Sequence, residues 1–135
     1  MIPKPYLHEV KYYETDKMGV THHSNYIRFM EEARLDWMDQ LGYGFERMEA
    51  EGIVSPVVSV SCNYKKTTTF KDVIEIRVRV GQISEVKLVL AYEMRVEGRL
   101  VCTGETVHCF FDGGRPAVIA ERFPALYDAM MQTLE

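Results

Sequence analysis

Apolar residues alternate with polar ones through most of the second half of the chain, which is the pattern of β-strands that bury one face. Four such segments follow one another at residues 58–64, 74–80, 86–96 and 100–111. Glu97-Gly98 stands between the last two segments and predicts a tight hairpin. The pattern therefore predicts four long antiparallel strands in succession.

A helical pattern precedes these strands. Ser24 and Asn25 are both good N-cap residues, and Gly42 and Gly44 are placed to end a helix that reaches Leu41. Between them, residues on one side of the helix are apolar: Tyr26, Phe29, Met30, Ala33, Trp37 and Leu41, with Ile27 and Met38 at the margins. An arc this wide has to be covered by other parts of the protein, so we predict a long central helix.

Shorter elements are predicted at both ends of the chain. A first strand within residues 3–13 has one side formed by Tyr6, His8, Val10 and Tyr12. Residues 14–23 are predicted to form a loop, and residues 45–51 one or two helical turns. Apolar positions from Phe123 to Leu134 predict a closing helix entered through Pro124.

One sheet wrapped around one helix is the simplest fold that buries both apolar surfaces. We therefore predict an α+β fold with an antiparallel sheet around a central helix, forming a single domain over residues 1–135. Such a sheet has an edge strand with unpaired backbone groups, and this predicts a homodimer or homotetramer.

Charge and hydropathy narrow the class of protein. The net charge of -4 argues against nucleic-acid binding, which needs a concentrated basic surface. No run of about 18 uncharged apolar residues is present, and the first ten residues do not resemble a signal peptide. We therefore expect a cytoplasmic protein with no membrane span.

Cysteine and histidine usage does not predict a metal centre. The three cysteines, Cys62, Cys102 and Cys109, are odd in number, lack CxxC spacing and lie in strand patterns, so we expect reduced packing residues. His22 and His23 are adjacent, so their side chains should point apart, and no further ligands have suitable spacing. We expect neither a metal nor another cofactor.

The stretch from Tyr12 to Trp37 carries most of the candidate chemistry. Asp16 lies in a loop with Gly19, which permits a tight turn, just before the predicted helix. The first N–H groups of a helix are unpaired and carry a partial positive charge, so they can polarise a carbonyl oxygen. A carboxylate that faces this end can attack the polarised carbon or activate a water, which together makes a minimal acyl-transfer site.

The same stretch resembles the signature of the 4-hydroxybenzoyl-CoA thioesterase family of the hotdog fold. The matching residues are Tyr13, Thr15-Asp16, Gly19-Val20, His23, Asn25-Tyr26, Phe29, Glu31 and Ala33-Arg34. The resemblance continues through the strands, including residues 64–72, so it covers most of the chain. It implies hydrolysis of an acyl-CoA thioester to a free acid and CoA, in which coenzyme A belongs to the substrate and no separate cofactor is used.

The resemblance also implies roles for particular residues. Asp16 matches the family's catalytic carboxylate, which acts as nucleophile or as general base on water. His23 matches a histidine whose backbone N–H lies where the thioester carbonyl binds. Asn25 is expected to shape the helix start and, with Gly19 and Tyr26, the substrate site. Thr67 matches a hydroxyl that faces the site from the partner subunit in relatives.

Several alternatives stay open. Lys65 and Lys66, with Lys71 nearby, can hold the CoA phosphates or can simply be a solvated strand end. Glu31 is within reach of Arg34 three residues later, which predicts a structural ion pair, although other hotdog branches place their catalytic carboxylate on this helix. Val20-Thr21-His22 and Ser24 depart from the family pattern, so acyl preference cannot be carried over. A hotdog hydratase acting on enoyl or 3-hydroxyacyl thioesters, and a noncatalytic acyl-thioester binding protein, are the rival functions.

Overall fold

The centre of the fold is a helix, α1 (Asn25–Gln40), packed against a five-stranded antiparallel sheet. The sheet has the order β1-β3-β4-β5-β2, and its strands are β1 (Tyr6–Glu9), β2 (Val57–Tyr64), β3 (Val73–Ile83), β4 (Lys87–Val96) and β5 (Arg99–Cys109). This computed structural model describes residues 2–134. Met1 and Glu135, the two ends of the predicted domain, lie outside the described residues. The α+β arrangement expected from the sequence is confirmed.

Short elements connect and close this sheet. A 3-10 helix spans Tyr12–Glu14, and a second helix, α2 (Phe45–Ala50), follows α1. After β5 the chain forms a small hairpin and two helices: β6 (Phe111–Asp112), β7 (Arg115–Pro116), α3 (Ile119–Arg122) and α4 (Pro124–Met131). Pro124 opens α4 as predicted, because its fixed backbone suits the first turn of a helix.

The apolar arc of α1 is buried almost as predicted. Its buried residues are Tyr26, Phe29, Met30, Ala33, Trp37 and Met38. Gly42 follows the helix with a φ of +83°, a left-handed conformation that suits glycine. Ile27 is 46% exposed, so the arc is narrower at this end of the helix than predicted.

The first strand is shorter than predicted, and Tyr12 does not belong to it. The backbone N–H of Lys11 donates to the Glu14 carboxylate at 2.8 Å, and the Glu14 N–H donates to the Lys11 carbonyl at 3.0 Å. These two bonds turn the chain into the 3-10 helix, which leaves the Tyr12 side chain exposed. The period-two pattern therefore holds for His8 and Val10, which are buried, and fails beyond them.

β2 lies at one edge of the sheet and is exposed along most of its length. Within the described chain it pairs only with β5, and α1 meets it only towards its end, where Cys62 is half-buried against the core and the Tyr64 ring centroid lies 5.3 Å from that of Tyr26. Exposed side chains along it include Val57, Val58, Val60 and Tyr64. The one-sided burial that the alternating pattern predicts is thus not achieved for this strand by a single chain.

Other predictions about the strands and cysteines are confirmed. Glu97 and Gly98 both have positive φ, at 50° and 79°, which is the conformation of a type I′ hairpin turn. All three cysteines are free, and burial raises the pKa of the Cys102 thiol to about 12. In the described part of the chain, no helix is long and apolar enough to cross a membrane.

Candidate active site

Asp16 begins a closed turn in the loop before α1. Its N–H donates to the Val20 carbonyl at 2.9 Å, and its carbonyl accepts from the Gly19 N–H at 3.0 Å. Gly19 has a φ of +80°, so the turn uses a conformation that favours glycine. The Asp16 Oδ1 accepts the Met18 N–H at 2.9 Å, and among residues 2–134 its Oδ2 has no hydrogen-bond partner. The half-buried carboxylate is thus held by one oxygen and free at the other.

This loop is tied to the segment that follows β2. The N–H of Thr21 donates to the Thr68 carbonyl at 2.8 Å, and the two hydroxyl groups are 2.6 Å apart. The Tyr26 hydroxyl lies 2.9 Å from the same Thr68 hydroxyl, and the Thr69 hydroxyl donates to the Gly19 carbonyl at 2.7 Å. Thr21 and Thr68 are both buried, so these bonds are shielded from water. Burial also raises the pKa of Tyr26, which keeps its phenol protonated near neutral pH.

The two segments enclose a cavity of about 460 Å³. Six of the residues predicted for the site line it: Asp16, His23, Tyr26, Lys65, Lys66 and Thr67. Residues without a predicted role complete the lining: Met18, Val20, Thr21 and Tyr64. The sequence-based grouping of Asp16 with the start of α1 and the end of β2 therefore corresponds to one cavity.

The start of α1 presents a free donor to this region. The N–H groups of Asn25 and Tyr26 donate to the carbonyls of His22 and His23, at 3.0 and 3.2 Å. The N–H of His23 has no acceptor within the described chain. The bond from Asn25 to the His22 carbonyl holds the peptide that carries the His23 N–H, and the Tyr64 hydroxyl holds the next peptide by donating to the His23 carbonyl at 3.2 Å. A fixed peptide with an unused N–H is what an oxyanion donor requires.

The Ser24 side chain does not cap the helix, although Ser24 occupies the N-cap position as predicted. Its hydroxyl lies 2.9 Å from His22 Nδ1, and its N–H donates to the same nitrogen at 3.2 Å. The rings of His22 and His23 are stacked, with centroids 4.3 Å apart, so the expectation that they point apart is wrong. Among the residues described, no three His, Cys, Asp or Glu side chains are grouped as metal ligands.

Two predicted site residues shape the loop from outside the cavity. Gly19 contributes the turn at Asp16 and the carbonyl that Thr69 binds. The side-chain amide N–H of Asn25 donates to the Glu14 backbone carbonyl at 2.9 Å, and the same carbonyl accepts the His22 N–H at 2.8 Å. Both residues therefore act on the position of the site, and neither is part of the cavity wall.

Sequence reasoning missed the buried pair of His8 and Glu14. His8 Nε2 is 2.8 Å from Glu14 Oε1, and both residues are 7% exposed. The pair fixes Glu14, whose carbonyl holds His22 and Asn25, so β1 supports the start of α1. A signal was present, because His8 lies on the apolar side of the period-two pattern, where a histidine needs a partner.

Lys65 and Lys66 lie at the mouth of the cavity with exposed side chains. Their backbone N–H groups both donate to the Val101 carbonyl, at 2.9 and 3.1 Å, which keeps both residues at the end of β2 beside the cavity. Lys71 is elsewhere: its ammonium lies over the Phe70 ring, 5.5 Å from the centroid. The predicted cluster of three lysines is thus reduced to two at the site.

Glu31 and Arg34 do not form the predicted ion pair. No carboxylate in the described part of the chain pairs with Arg34, whose guanidinium interacts with the hydroxyl of Tyr92 on β4. Its charge also acts on His108 on β5: burial, followed by the charge of Arg34, lowers the pKa of His108 to about 4. Arg34 thus points towards the sheet, and Glu31 stays exposed.

Comparison with known proteins gives consistent results. A family model described as the thioesterase-like superfamily matches residues 10–132. YneP of Bacillus subtilis, whose name assigns it provisionally to the acyl-CoA thioesterases, is 30% identical over 124 residues, 90% of this chain and 90% of its own. The crystal structure of the DHNA-CoA thioesterase of Staphylococcus aureus is 36% identical, with a TM-score of 0.87, covering 98% of this chain and 91% of that one. A hypothetical Thermus thermophilus protein, TT1821, is 34% identical, with a TM-score of 0.89 and coverage of 98% and 100%.

Proposed function

The chain belongs to the thioesterase-like superfamily and is a thioester hydrolase, and from this premise we propose that it cleaves acyl-CoA substrates in the cavity lined by Asp16 and His23. The products are a free carboxylic acid and CoA. Neither a metal ion nor a redox cofactor takes part in the proposed reaction.

The proposed reaction begins with the thioester carbonyl at the start of α1. The free N–H of His23 donates to the carbonyl oxygen and stabilises the negative charge that develops there. Asp16 then attacks the carbonyl carbon, or removes a proton from a water that attacks it. When water attacks, the C–S bond breaks, the acid forms directly, and the thiolate of CoA takes up the proton that Asp16 removed from the water. When Asp16 attacks, the C–S bond breaks to give a mixed anhydride with Asp16; a water then hydrolyses this anhydride to the acid and the Asp16 carboxylate, and the thiolate takes up a proton from that water. The free Oδ2 of Asp16 supports this role, because the Met18 N–H occupies only the other oxygen.

Lys65 and Lys66 are proposed to hold the phosphate groups of CoA at the mouth of the cavity. Two neighbouring ammonium groups suit polyphosphate, whereas the chain as a whole carries a net charge of -4 and would repel it. Thr67 is proposed to bind the substrate from the wall between these lysines and Thr68. Together these residues orient the thioester towards Asp16.

One observation carries the proposal: the same cavity is lined by Asp16, a half-buried carboxylate, and by His23, whose N–H at the start of α1 is unbonded. This arrangement occurs in a chain of the thioesterase-like superfamily. The test is a panel of acyl-CoAs, including DHNA-CoA, with CoA release followed by a chromogenic thiol reagent. Asp16→Asn should lower kcat/KM at least about 100-fold, the scale on which a lost catalytic acid or base acts. Asp39→Asn is the matched control, because it makes the same replacement at an exposed position at the far end of α1. Its kcat/KM should stay near that of wild type.

Three results would contradict the proposal. Absence of cleavage of every thioester tested would exclude the reaction, and full activity in a folded Asp16→Asn would exclude the residue. A change in enoyl absorbance without thiol release would instead indicate a hydratase. Label on Asp16 after a single turnover in H₂¹⁸O would indicate an acyl-aspartate that water opens at the Asp16 carbonyl, because general-base catalysis labels only the product acid.

We also propose that the protein functions as a homodimer formed through β2. The strand is an unblocked edge with exposed valines, and it ends at Tyr64, which lines the cavity together with Lys65. An isologous dimer would pair β2 with its copy in antiparallel fashion and place the partner beside the site. Sedimentation equilibrium should give twice the chain mass or a multiple of it. Val60→Lys should reduce the dimer, whereas Leu7→Lys on β1, the other sheet edge, should not.

A further inference from the structure

A second cavity lies between α1, α2 and the strands β4 and β5, and it shares no lining residue with the Asp16 cavity. Its volume is about 370 Å³, in the range of pockets that bind small molecules. The proposed reaction gives this cavity no role.

The second cavity has an exposed mouth and an apolar interior. The residues of its lining that are exposed form the mouth: Leu35, Phe45, Glu49 and Val54. Most of the inner wall is buried and apolar: Met38, Leu88, Leu90, Phe110 and Met130. Three of the lining residues are methionines, whose flexible thioether side chains adapt to ligands of different shape: Met38, Met48 and Met130. The interior is therefore suited to an apolar chain.

A series of hydrogen bonds beside the cavity has a defined direction. Burial, followed by the charge of Arg34, lowers the pKa of His108 to about 4, so the ring is neutral near pH 7 and carries one N–H. His108 Nδ1 is 3.3 Å from the Ser55 carbonyl, which can only accept, so Nδ1 donates and Nε2 accepts from the Thr106 hydroxyl at 2.9 Å. Thr106 in turn accepts from the Tyr92 hydroxyl at 2.7 Å, and Tyr92 accepts from Arg34. The series thus begins at a cation and ends at a carbonyl.

Arg34 keeps unused donors at the start of this series. A guanidinium has five N–H donors, and no carboxylate among residues 2–134 pairs with that of Arg34. Glu49, the other charged residue of the lining, is exposed on α2 and forms no ion pair with it. Arg34 and Ser55 are half-buried, which places this polar side between the exposed mouth and the buried interior. A cation beside an apolar interior is complementary to a ligand with an anionic head and an apolar chain.

We propose that this cavity binds a free monocarboxylic acid, with its carboxylate on Arg34 and its apolar chain in the interior. The head then stays near the mouth and the chain points inward. At about 30 Å³ for each water-sized group, the cavity has room for about a dozen non-hydrogen atoms, which fits acids of about six to ten carbons. Free acids are also products of the proposed thioester hydrolysis, but the inference requires neither that reaction nor the proposed dimer.

Calorimetry with octanoate and octanol tests this inference. The two ligands have the same number of carbons and differ in the head group, so the ratio of their dissociation constants measures the recognition of charge. Wild type should bind octanoate at one site per chain and at least about tenfold more tightly than octanol, the scale of one charge-assisted hydrogen bond. Arg34→Met, of similar length but uncharged, should bring this ratio close to one. Arg77→Met makes the same change at an exposed position on β3 and should keep the wild-type ratio.

The methyl groups of methionine show where the acid binds. In NMR spectra of protein labelled with ¹³C at these methyl groups, octanoate should shift the signals of Met38, Met48 and Met130. The signal of Met18, which lines the Asp16 cavity, should stay in place. Asp16→Asn should bind octanoate as tightly as wild type, because the two cavities share no lining residue.

Several results would overturn the inference. If wild type binds octanoate no more tightly than octanol, Arg34 does not recognise the head group, and this comparison decides the matter even where Arg34→Met does not fold. An unchanged ratio in a folded Arg34→Met leads to the same conclusion. A shift of Met18 without shifts of the three cavity methionines would place the acid in the Asp16 cavity, and failure of octanoate to bind at all would exclude the second site. CoA release is measured separately, so none of these results bears on the proposed thioesterase function.

Discussion

Replacing Glu14 with alanine is expected to weaken both the fold and the catalytic site, although Glu14 lines neither cavity. Its Oε1 accepts the Lys11 N–H at 2.8 Å and lies 2.8 Å from His8 Nε2, and its side chain is only 8% exposed. Its backbone carbonyl accepts from His22 and Asn25, at the start of α1. One residue therefore connects β1 to the peptide that is proposed to bind the thioester oxygen.

The size of the effect follows from the groups that Glu14→Ala leaves without partners. His8 is buried, and an unsatisfied buried ring nitrogen costs about 1–3 kcal/mol. Water can reach Lys11, which is exposed, so the loss of its bond costs about 0.5–1 kcal/mol. The lost burial of one methylene adds about 0.8 kcal/mol. We expect the free energy of unfolding to fall by about 3 kcal/mol.

Urea unfolding measures the stability, and kcat/KM at a temperature where both proteins are fully folded measures the site. Activity should fall about 10- to 100-fold, because a displacement of about 1 Å at a catalytic geometry can cost that much. Glu14→Gln keeps an oxygen for the Lys11 N–H and can also bond His8, so it should lose about 1 kcal/mol or less. Glu9→Ala is the matched control on β1: its carboxylate is exposed and 3.8 Å from Lys11, so the change should be under about 0.5 kcal/mol.

The reasoning is refuted if Glu14→Ala unfolds within about 0.5 kcal/mol of wild type, since a buried His8 nitrogen cannot then depend on this carboxylate. A stability loss of the expected size with unchanged kcat/KM would refute only the link to the site. In that case the start of α1 would hold its position without help from β1.

Two further predictions concern the sheet. Gly104→Ala should lower the free energy of unfolding, measured in urea, by about 1–3 kcal/mol, because the added Cβ would lie 2.6 Å from Met30 Sδ and 3.0 Å from the Ser61 carbonyl. Gly81→Ala is the control: the nearest atom to its added Cβ is 3.4 Å away, so its stability should fall by less. Equal losses for the two variants would contradict the packing argument. Burial lowers the pKa of His108 from 6.5 to about 4, so between these pH values only the unfolded state binds the proton. The free energy of unfolding should therefore decrease by up to about 3 kcal/mol as the pH falls through this range. Unfolding curves of His108→Gln should lack this part of the pH dependence.

The parts of the fold that sequence predicted best are those set by nearby residues. The length and buried side of α1 follow from its 3.6-residue period and from Gly42, and the β4-β5 turn follows from Glu97-Gly98. The pairing of Asp16 with the start of α1 is also local, because fewer than ten residues separate them along the chain. The hotdog-family resemblance then added Thr67 and the acyl-CoA substrate, and Lys65 and Lys66 were singled out by their clustering at a strand end; no periodicity connects these residues to Asp16.

Most of the failures involve contacts that local patterns do not describe. The i, i+3 rule gave Arg34 the partner Glu31, but the buried hydroxyl of Tyr92 lies on a strand more than fifty residues away. The period-two pattern carried the first strand through Tyr12, whereas the two bonds between Lys11 and Glu14 turn the chain earlier, and the contact of Glu14 with buried His8 anchors this turn. For β2 the pattern predicted a buried face, and in a single chain only Cys62 on that face is half-buried while Val58 and Val60 stay exposed. Such outcomes depend on tertiary packing, which local patterns do not contain.

The candidate site contains two groups of residues: those that fix its structure and those that are proposed to react. Thr21, Tyr26 and Thr68 are buried and bonded to one another, so their replacement should cost stability as well as activity. Asp16 is bonded through one oxygen to a neighbouring N–H, and His23 offers an N–H that the fold does not use. Asp16→Asn keeps an oxygen for the Met18 N–H and should therefore leave the free energy of unfolding nearly unchanged, and the His23 N–H belongs to the backbone, so it remains whichever side chain stands there. A carboxylate and a donor left free by the fold are available to a substrate, and for this reason we locate the chemistry at Asp16 and His23 and not at the more extensively bonded groups around them.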